Sequence, residues 1–136
     1  MRIVNLDLRK KMASAGLCES CKKPCKVREG AHVMAKGLGS GRTLDIPLNL
    51  VSLGSTLNFE CACHTRSHNY DGKQLDEIVA SREGCAVEDV RDALWIILRI
   101  PTDAPVSVIE QELNDCINEK AAMLARRELK LAGILP

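Results

Sequence analysis

Two cysteine pairs constrain this chain more than anything else in it. Cys18-x-x-Cys21 opens the segment LCESCKKPC, and Cys61-x-Cys63 runs straight into His64-x-x-x-His68. A Cys-x-x-Cys turn points backbone amides at its sulfurs and holds two thiolates on one Zn²⁺ at about 2.3 Å. One such turn is a weak signal, and a second ligand pair downstream strengthens it. The structural-zinc ligands expected are Cys18, Cys21, Cys61 and Cys63, with Cys25 a spare from the first cluster. The second pair is Cys-x-Cys rather than Cys-x-x-Cys, and the competing reading is a set of plain or buried thiols. Cys85 and Cys116 fall in helical patterns and read as small packed hydrophobes.

The total of seven cysteines is odd. The opening MRIVNLDLRKKM turns charged at once and does not read as a signal peptide. No run nears the roughly 18 apolar residues that a membrane span requires. The expectation is a cytoplasmic, reducing setting with no membrane. There, clustered cysteines are more often metal ligands than disulfides. The 136 residues suit one domain, or one domain with a small appendage. Only Phe59, Tyr70 and Trp95 are aromatic, so the core falls to Leu, Ile, Val, Ala and Met. Such a core leans on a metal or on self-association. Residues 1–43 carry 10 Lys/Arg against 3 Asp/Glu, net +7, and residues 44–136 carry 9 against 15, net −6. A basic front half suits a polyanion, and equally a solvated face.

Along the chain, residues 5–15 read as a short helix capped by Asn5 and ended by Gly16, with Leu6, Met12 and Ala13 toward the core. Lys26–Met34 alternates as a strand and carries His32. The glycines of AKGLGSGRTLD lack a strand–GxGxxG–helix context, so a nucleotide loop is rejected. Lys36 and Arg42 in that loop are candidate phosphate contacts. Ile46–Leu53 reads as a second extended segment, and residues 60–69 as a short helix. Helical spacing sets His64 and His68 on one face, close enough to share a metal. Residues 71–136 read as helical: a pair over 73–84 and 86–100 with helix–turn–helix spacing, then one long helix from about Val106 to Leu131. Ile109, Leu113, Ile117, Leu124 and Leu131 are placed on its inner side. The acids Glu88, Asp89 and Asp92 at the start of the second helix favour packing over DNA readout.

Taken in order, Cys18-x-x-Cys21, Ala31-His32-Val33, Asp45-Ile46-Pro47-Leu48-Asn49-Leu50 and Cys63-His64-x-x-x-His68 resemble the HNH endonuclease motif of the ββα-metal class. The resemblance covers about 50 residues. It implies an α+β fold: an HNH-like nuclease unit with a zinc knuckle over 1–70, then a helical extension over 71–136. It also implies His32 as general base, Asn49 bridging the hairpin to orient it, and one divalent cation (Mg²⁺, Mn²⁺ or Zn²⁺) on His64 and His68. DNA is the implied partner, with a 5′-phosphate and 3′-hydroxyl as products. Many family members place Asp or His just before the catalytic histidine, where this chain has Ala31. The cation then needs another ligand, such as Asp45 or Glu29. An insertion after Leu53 also sets the cysteine–histidine cluster further on than in the compact pattern.

Two alternatives stay open: a catalytically inactive, zinc-stabilised DNA-binding or assembly module, and a zinc site built from Cys18, Cys21, His64 and His68 with no catalytic cation. A homodimer through the long C-terminal helix is an expected partner state. A phage setting rests on fold-level analogy alone.

Overall fold

The computed structural model describes residues 1–34, 43–55, 61–68 and 74–136, with His68 described by its backbone. It is an α+β protein: small antiparallel hairpins come first and most of the helices follow. Helix α1 (Leu6–Ala13) is capped by Asn5, whose side chain accepts from the Leu8 amide. None of its residues is fully buried. Leu6 is 62% exposed and Ala13 is exposed, so their inward placement is corrected, while Met12 is half-buried and turned toward the hairpin beside Gly30 and Ser52. The helix instead lies on the hairpin through backbone and polar contacts. Ser52 Oγ donates to the Met12 carbonyl at 2.7 Å, and Arg28 Nε donates to the Ser14 carbonyl at 2.6 Å.

Strands β1 (Gly16–Leu17) and β2 (Pro24–Cys25) form a minimal hairpin around the first cysteine pair. Strands β3 (Arg28–His32) and β4 (Leu50–Gly54) form the main one, in antiparallel register from Arg28↔Gly54 to His32↔Leu50. The expected extended run from Ile46 is corrected at its start. Pro47–Asn49 is a turn of 3₁₀ helix, consistent with proline's fixed φ at a first helical position, and extension begins at Leu50. Every residue of β4 is buried. A strand covered on both faces reads as continuous rather than alternating hydrophobicity, and LVSLG is near that.

Helix α2 (Cys63–His68) follows, then α3 (Leu75–Glu83) and α4 (Val87–Arg99). Gly84 ends α3 in the left-handed conformation, and Asp89 Oδ2 closes the start of α4 by accepting from the Ala86 amide at 3.0 Å. The single long C-terminal helix is corrected to two, α5 (Val106–Asn114) and α6 (Glu119–Leu131). Asn118 makes the break. Its Oδ1 caps α6 by accepting from the Ala121 amide, while its Nδ2 donates to Asp89 and Asp92 on α4. That link turns α6 along α4 and leaves Ile117 98% and Leu131 69% exposed, not on the inner side. A dimer through one long helix therefore loses the element it leaned on. Cys85 and Cys116 lie in the links between helices, half-buried against the core.

One buried cluster runs from Ile46, Leu48, Val51 and Leu53 through Leu94, Ile97 and Leu129. Arg82 of α3 reinforces the junction, donating to the Leu50 and Pro47 carbonyls and to Glu19. Among the described residues no helix is long and apolar enough to cross a membrane.

Candidate metal centre

Cys18 lies at the start of the knuckle between β1 and β2. The knuckle is held against β4 by Glu19, whose amide donates to the Ser52 carbonyl at 2.9 Å. The turn closes as the Lys22 amide donates to the Cys18 carbonyl at 2.8 Å. Lys22 takes a left-handed φ of 65°, and so does Ala62, at 56°, between Cys61 and Cys63. Each residue forgoes the roughly 1–2 kcal/mol that separates this conformation from the right-handed one. Glycine at either position relieves that strain but frees the unfolded chain. The expected net result is a gain of about 0.5–1 kcal/mol for Lys22→Gly or Ala62→Gly. Thermal unfolding of the zinc-loaded protein checks it, since either variant should melt about 2 °C higher.

The four expected ligands come together. The Sγ atoms of Cys18, Cys21, Cys61 and Cys63 all lie within 4.8 Å of one another. Four Zn–S bonds of about 2.3 Å need sulfur–sulfur edges of about 3.8 Å, so a small contraction completes the tetrahedron. Charge argues the same way. Burial pushes the Cys18 thiol up, but amide hydrogen bonds from Cys21, Gly54 and Ser20 and the Cys21 side chain outweigh it, bringing it to about 7. Burial and the neighbouring Cys61, Cys21 and Cys18 side chains push Cys63 up instead. The protein's own donors thus stabilise the Cys18 thiolate, whereas Cys21 and Cys63 are pushed up and a cation between the sulfurs would favour their ionised forms. Gly54 completes the cradle: a side-chain carbon there would overlap Cys61 Sγ. The donor chemistry and the space both fit a structural Zn²⁺, and the insertion after Leu53 does not displace its partners. The four clustered sulfurs supply a complete ligand set among the described residues. The alternative that pairs Cys18 and Cys21 with His64 and His68 rests in part on the His68 side chain, which lies outside them.

The histidines fall into separate settings. His32 ends β3, and its Nε2 lies 2.9 Å from Asp45 Oδ1. Asp45 is fully buried. Its Oδ2 accepts from the Asn5 amide at 2.9 Å and ion-pairs with Arg9 Nε at 2.7 Å. Burial alone would push this carboxyl up, and the hydrogen bonds from His32, Asn5 and Arg9 outweigh it, holding it below the ordinary carboxylate range. His64, one residue past Cys63 on α2, sets Nδ1 against Glu29 Oε2 of β3. Ser55 Oγ donates to the other Glu29 oxygen at 2.7 Å. Of the two carboxylates offered in place of a ligand at Ala31, Asp45 is thus spent on His32 and α1, and Glu29 stands at His64. His68 follows His64 by one helical turn.

Asn49 is buried and ties the two ends of the β3–β4 connection. Its Oδ1 accepts from the Met34 amide at 2.8 Å, and its Nδ2 donates to the Leu44 carbonyl at 2.9 Å. Its own carbonyl accepts from Val33, next to His32, at 2.9 Å. Strand alternation separates the two imidazoles. Arg28, Gly30 and His32 share the face toward α1, and Glu29 and Ala31 share the face toward α2. His32 and His64 are therefore not brought into contact across the hairpin. Lys36 and Arg42 lie outside the described residues.

Sequence reasoning missed Gly54 and Arg9. A glycine ending a buried strand, just ahead of a ligand cluster, was the available signal for the first. Compared with known proteins, the chain matches no family model, no curated protein and no solved structure. What fold and site define is an α+β protein with a four-cysteine cluster whose geometry is consistent with a structural Zn²⁺.

Proposed function

We propose that this chain is a metal-dependent endonuclease of the ββα-metal type, acting on DNA. The observation that carries the reading is that each described imidazole has its own carboxylate: His32 has Asp45, and His64 has Glu29. A general base needs a fixed ring and tautomer. Nε2–H donating to Asp45 leaves the lone pair on His32 Nδ1, the atom that takes the proton from the attacking water. A metal-ligating histidine likewise gives its second nitrogen to a carboxylate. Glu29 does this for His64, the residue that in this reading would hold the cation (Mg²⁺, Mn²⁺ or Zn²⁺) together with His68 of the motif, with Glu29 supplying the negative charge that Ala31 lacks. A cation held there would supply Lewis-acid stabilisation of charge on a phosphate lying at the α2 face of the hairpin. Asn49 orients His32 by tying the backbone on either side of the long connection. The order β3, β4, α2 agrees with the motif, and the exposed Lys10, Lys11, Lys22, Lys23 and Lys26 offer a surface for the phosphate backbone.

The test is incubation of supercoiled plasmid with purified protein, with and without each cation. His32→Ala is expected to lower nicking by about a hundredfold or more while zinc content stays unchanged. If the wild type nicks no nucleic acid with any of the cations, the endonuclease reading fails. A second reading has one specific observation in its favour. The hairpin sets His32 and His64 toward opposite faces, as suits an inactive zinc-stabilised DNA-binding module. That module retains DNA without any added cation, and His32→Ala leaves retention as it was.

A further inference from the structure

A tetrahedral zinc centre uses four sulfurs, and a fifth lies beside this one. Cys25 Sγ and Cys61 Sγ both sit within 3.0 Å of a single point, the place a side-chain carbon would occupy on Gly54. Glycine at that position leaves no side chain between them. The two sulfurs thus border one space the size of a side-chain carbon, the kind of proximity a disulfide needs. Cys25 is 4% exposed, and its thiol donates to the Lys23 carbonyl at 3.5 Å, so it is drawn as a thiol outside the ligand set. Cys61 is half-buried, within reach of a small oxidant, whereas Cys18 and Cys63 are buried. Cys21 is exposed, but Cys61 is the ligand sulfur that shares the Gly54 space with Cys25. A cysteine needed only to fill space would have no reason to abut a ligand sulfur across a glycine.

We propose that Cys25 and Cys61 are a modification site: hydrogen peroxide joins them in a disulfide and the centre releases its zinc. The Cys61 thiolate attacks one peroxide oxygen and the O–O bond breaks. Sulfenic acid forms, and hydroxide leaves to be protonated by solvent. The Cys25 sulfur then attacks the Cys61 sulfur and the S–O bond breaks. The departing hydroxide takes the Cys25 thiol proton and leaves as water. The two sulfurs lose two electrons, and the peroxide ends as two waters. Zn²⁺ is left with three thiolates and a weaker hold, and a dithiol reductant reverses the step. Nothing here depends on the endonuclease reading, because the readouts are zinc and disulfides.

The experiment treats the full zinc-loaded chain with hydrogen peroxide, follows released zinc with a chromogenic chelator, and maps disulfides by peptide mass spectrometry. The expected result is a Cys25–Cys61 cross-linked peptide formed in step with zinc release, and rebinding of zinc after dithiothreitol. Cys25→Ala is expected to leave Cys61 as sulfinic acid, so that zinc once released is not rebound after dithiothreitol. Cys25→Ser, closer in shape, should behave the same way. Should either variant fail to load zinc, the wild-type disulfide map decides alone. Disulfides confined to the four ligands, with Cys25 still reduced after zinc has left, overturn the proposal. So does equal recovery of zinc after dithiothreitol in wild type and a loaded variant.

Discussion

Gly54→Ala is expected to abolish zinc retention and to lower stability by about 3–5 kcal/mol, the range of severe single substitutions. The added carbon would overlap Cys61 Sγ and touch Cys25 Sγ at 3.0 Å. Neither sulfur is the end of a long flexible chain, so relief requires moving a ligand or the end of β4. Moving β4 breaks the Gly54 amide hydrogen bond that helps hold Cys18 as a thiolate. Moving Cys61 opens the tetrahedron. Two other glycines calibrate the effect. Gly30→Ala meets Met12 Cβ at 3.4 Å and sits in a strand, so it should change stability by less than about 1 kcal/mol. Gly84→Ala meets nothing within 4 Å but has a φ of 65°, and should cost about 1–2 kcal/mol through backbone strain alone. Zinc content by elemental analysis should stay whole in both controls and be lost in Gly54→Ala. A full complement of zinc in Gly54→Ala would show that the cradle does not depend on glycine.

Asp45→Ala is expected to cost about 3–5 kcal/mol, because removing one partner of a buried ion pair strands the others. The Asn5 amide, Arg9 and His32 all converge on this carboxylate. Its loss detaches the start of α1 and loosens the Ile3↔Leu44 bridge beside it. Asp45→Asn keeps the shape but replaces an acceptor with a donor facing donors, and should recover little of the loss. The pH dependence follows from the depressed carboxyl. A group whose folded value lies below its unfolded value of about 3.9 stabilises the fold fully above that value. The contribution is lost as pH falls through the lower, folded value. Urea unfolding at a series of pH values should show the wild type losing stability below about pH 4, and Asp45→Asn losing less over that interval. Parallel acid curves for the two proteins would rule out Asp45 as the source.

Much of the fold was legible because its signals are local. Val90, Leu94, Ile97 and Leu98 recur at helical spacing and are buried on α4, and Gly84 and Pro101 bound that region. The C-terminal pattern misled because Ile109, Leu113, Ile117 and Leu124 continue one helical stripe through the break. Periodicity carries no mark of a side chain such as Asn118 that bonds to another helix. α1 misled for the opposite reason. It packs through polar groups, which an apolar stripe cannot report.

The cysteine spacing named the four sulfurs as the leading ligand set, since a tight turn and a second pair suit thiolate chemistry, while Cys25 and the two helical histidines stayed as alternatives until the four sulfurs were seen to cluster. Their order relative to the histidines and Asn49 likewise set the candidate site. Only the tertiary structure decided which carboxylate serves which imidazole, which face of β3 each histidine takes, and that Gly54 and Cys25 crowd the zinc ligands. Those outcomes depend on the side from which α1 and α2 cover the hairpin, and on how closely separate backbones approach. Residue type and spacing encode neither.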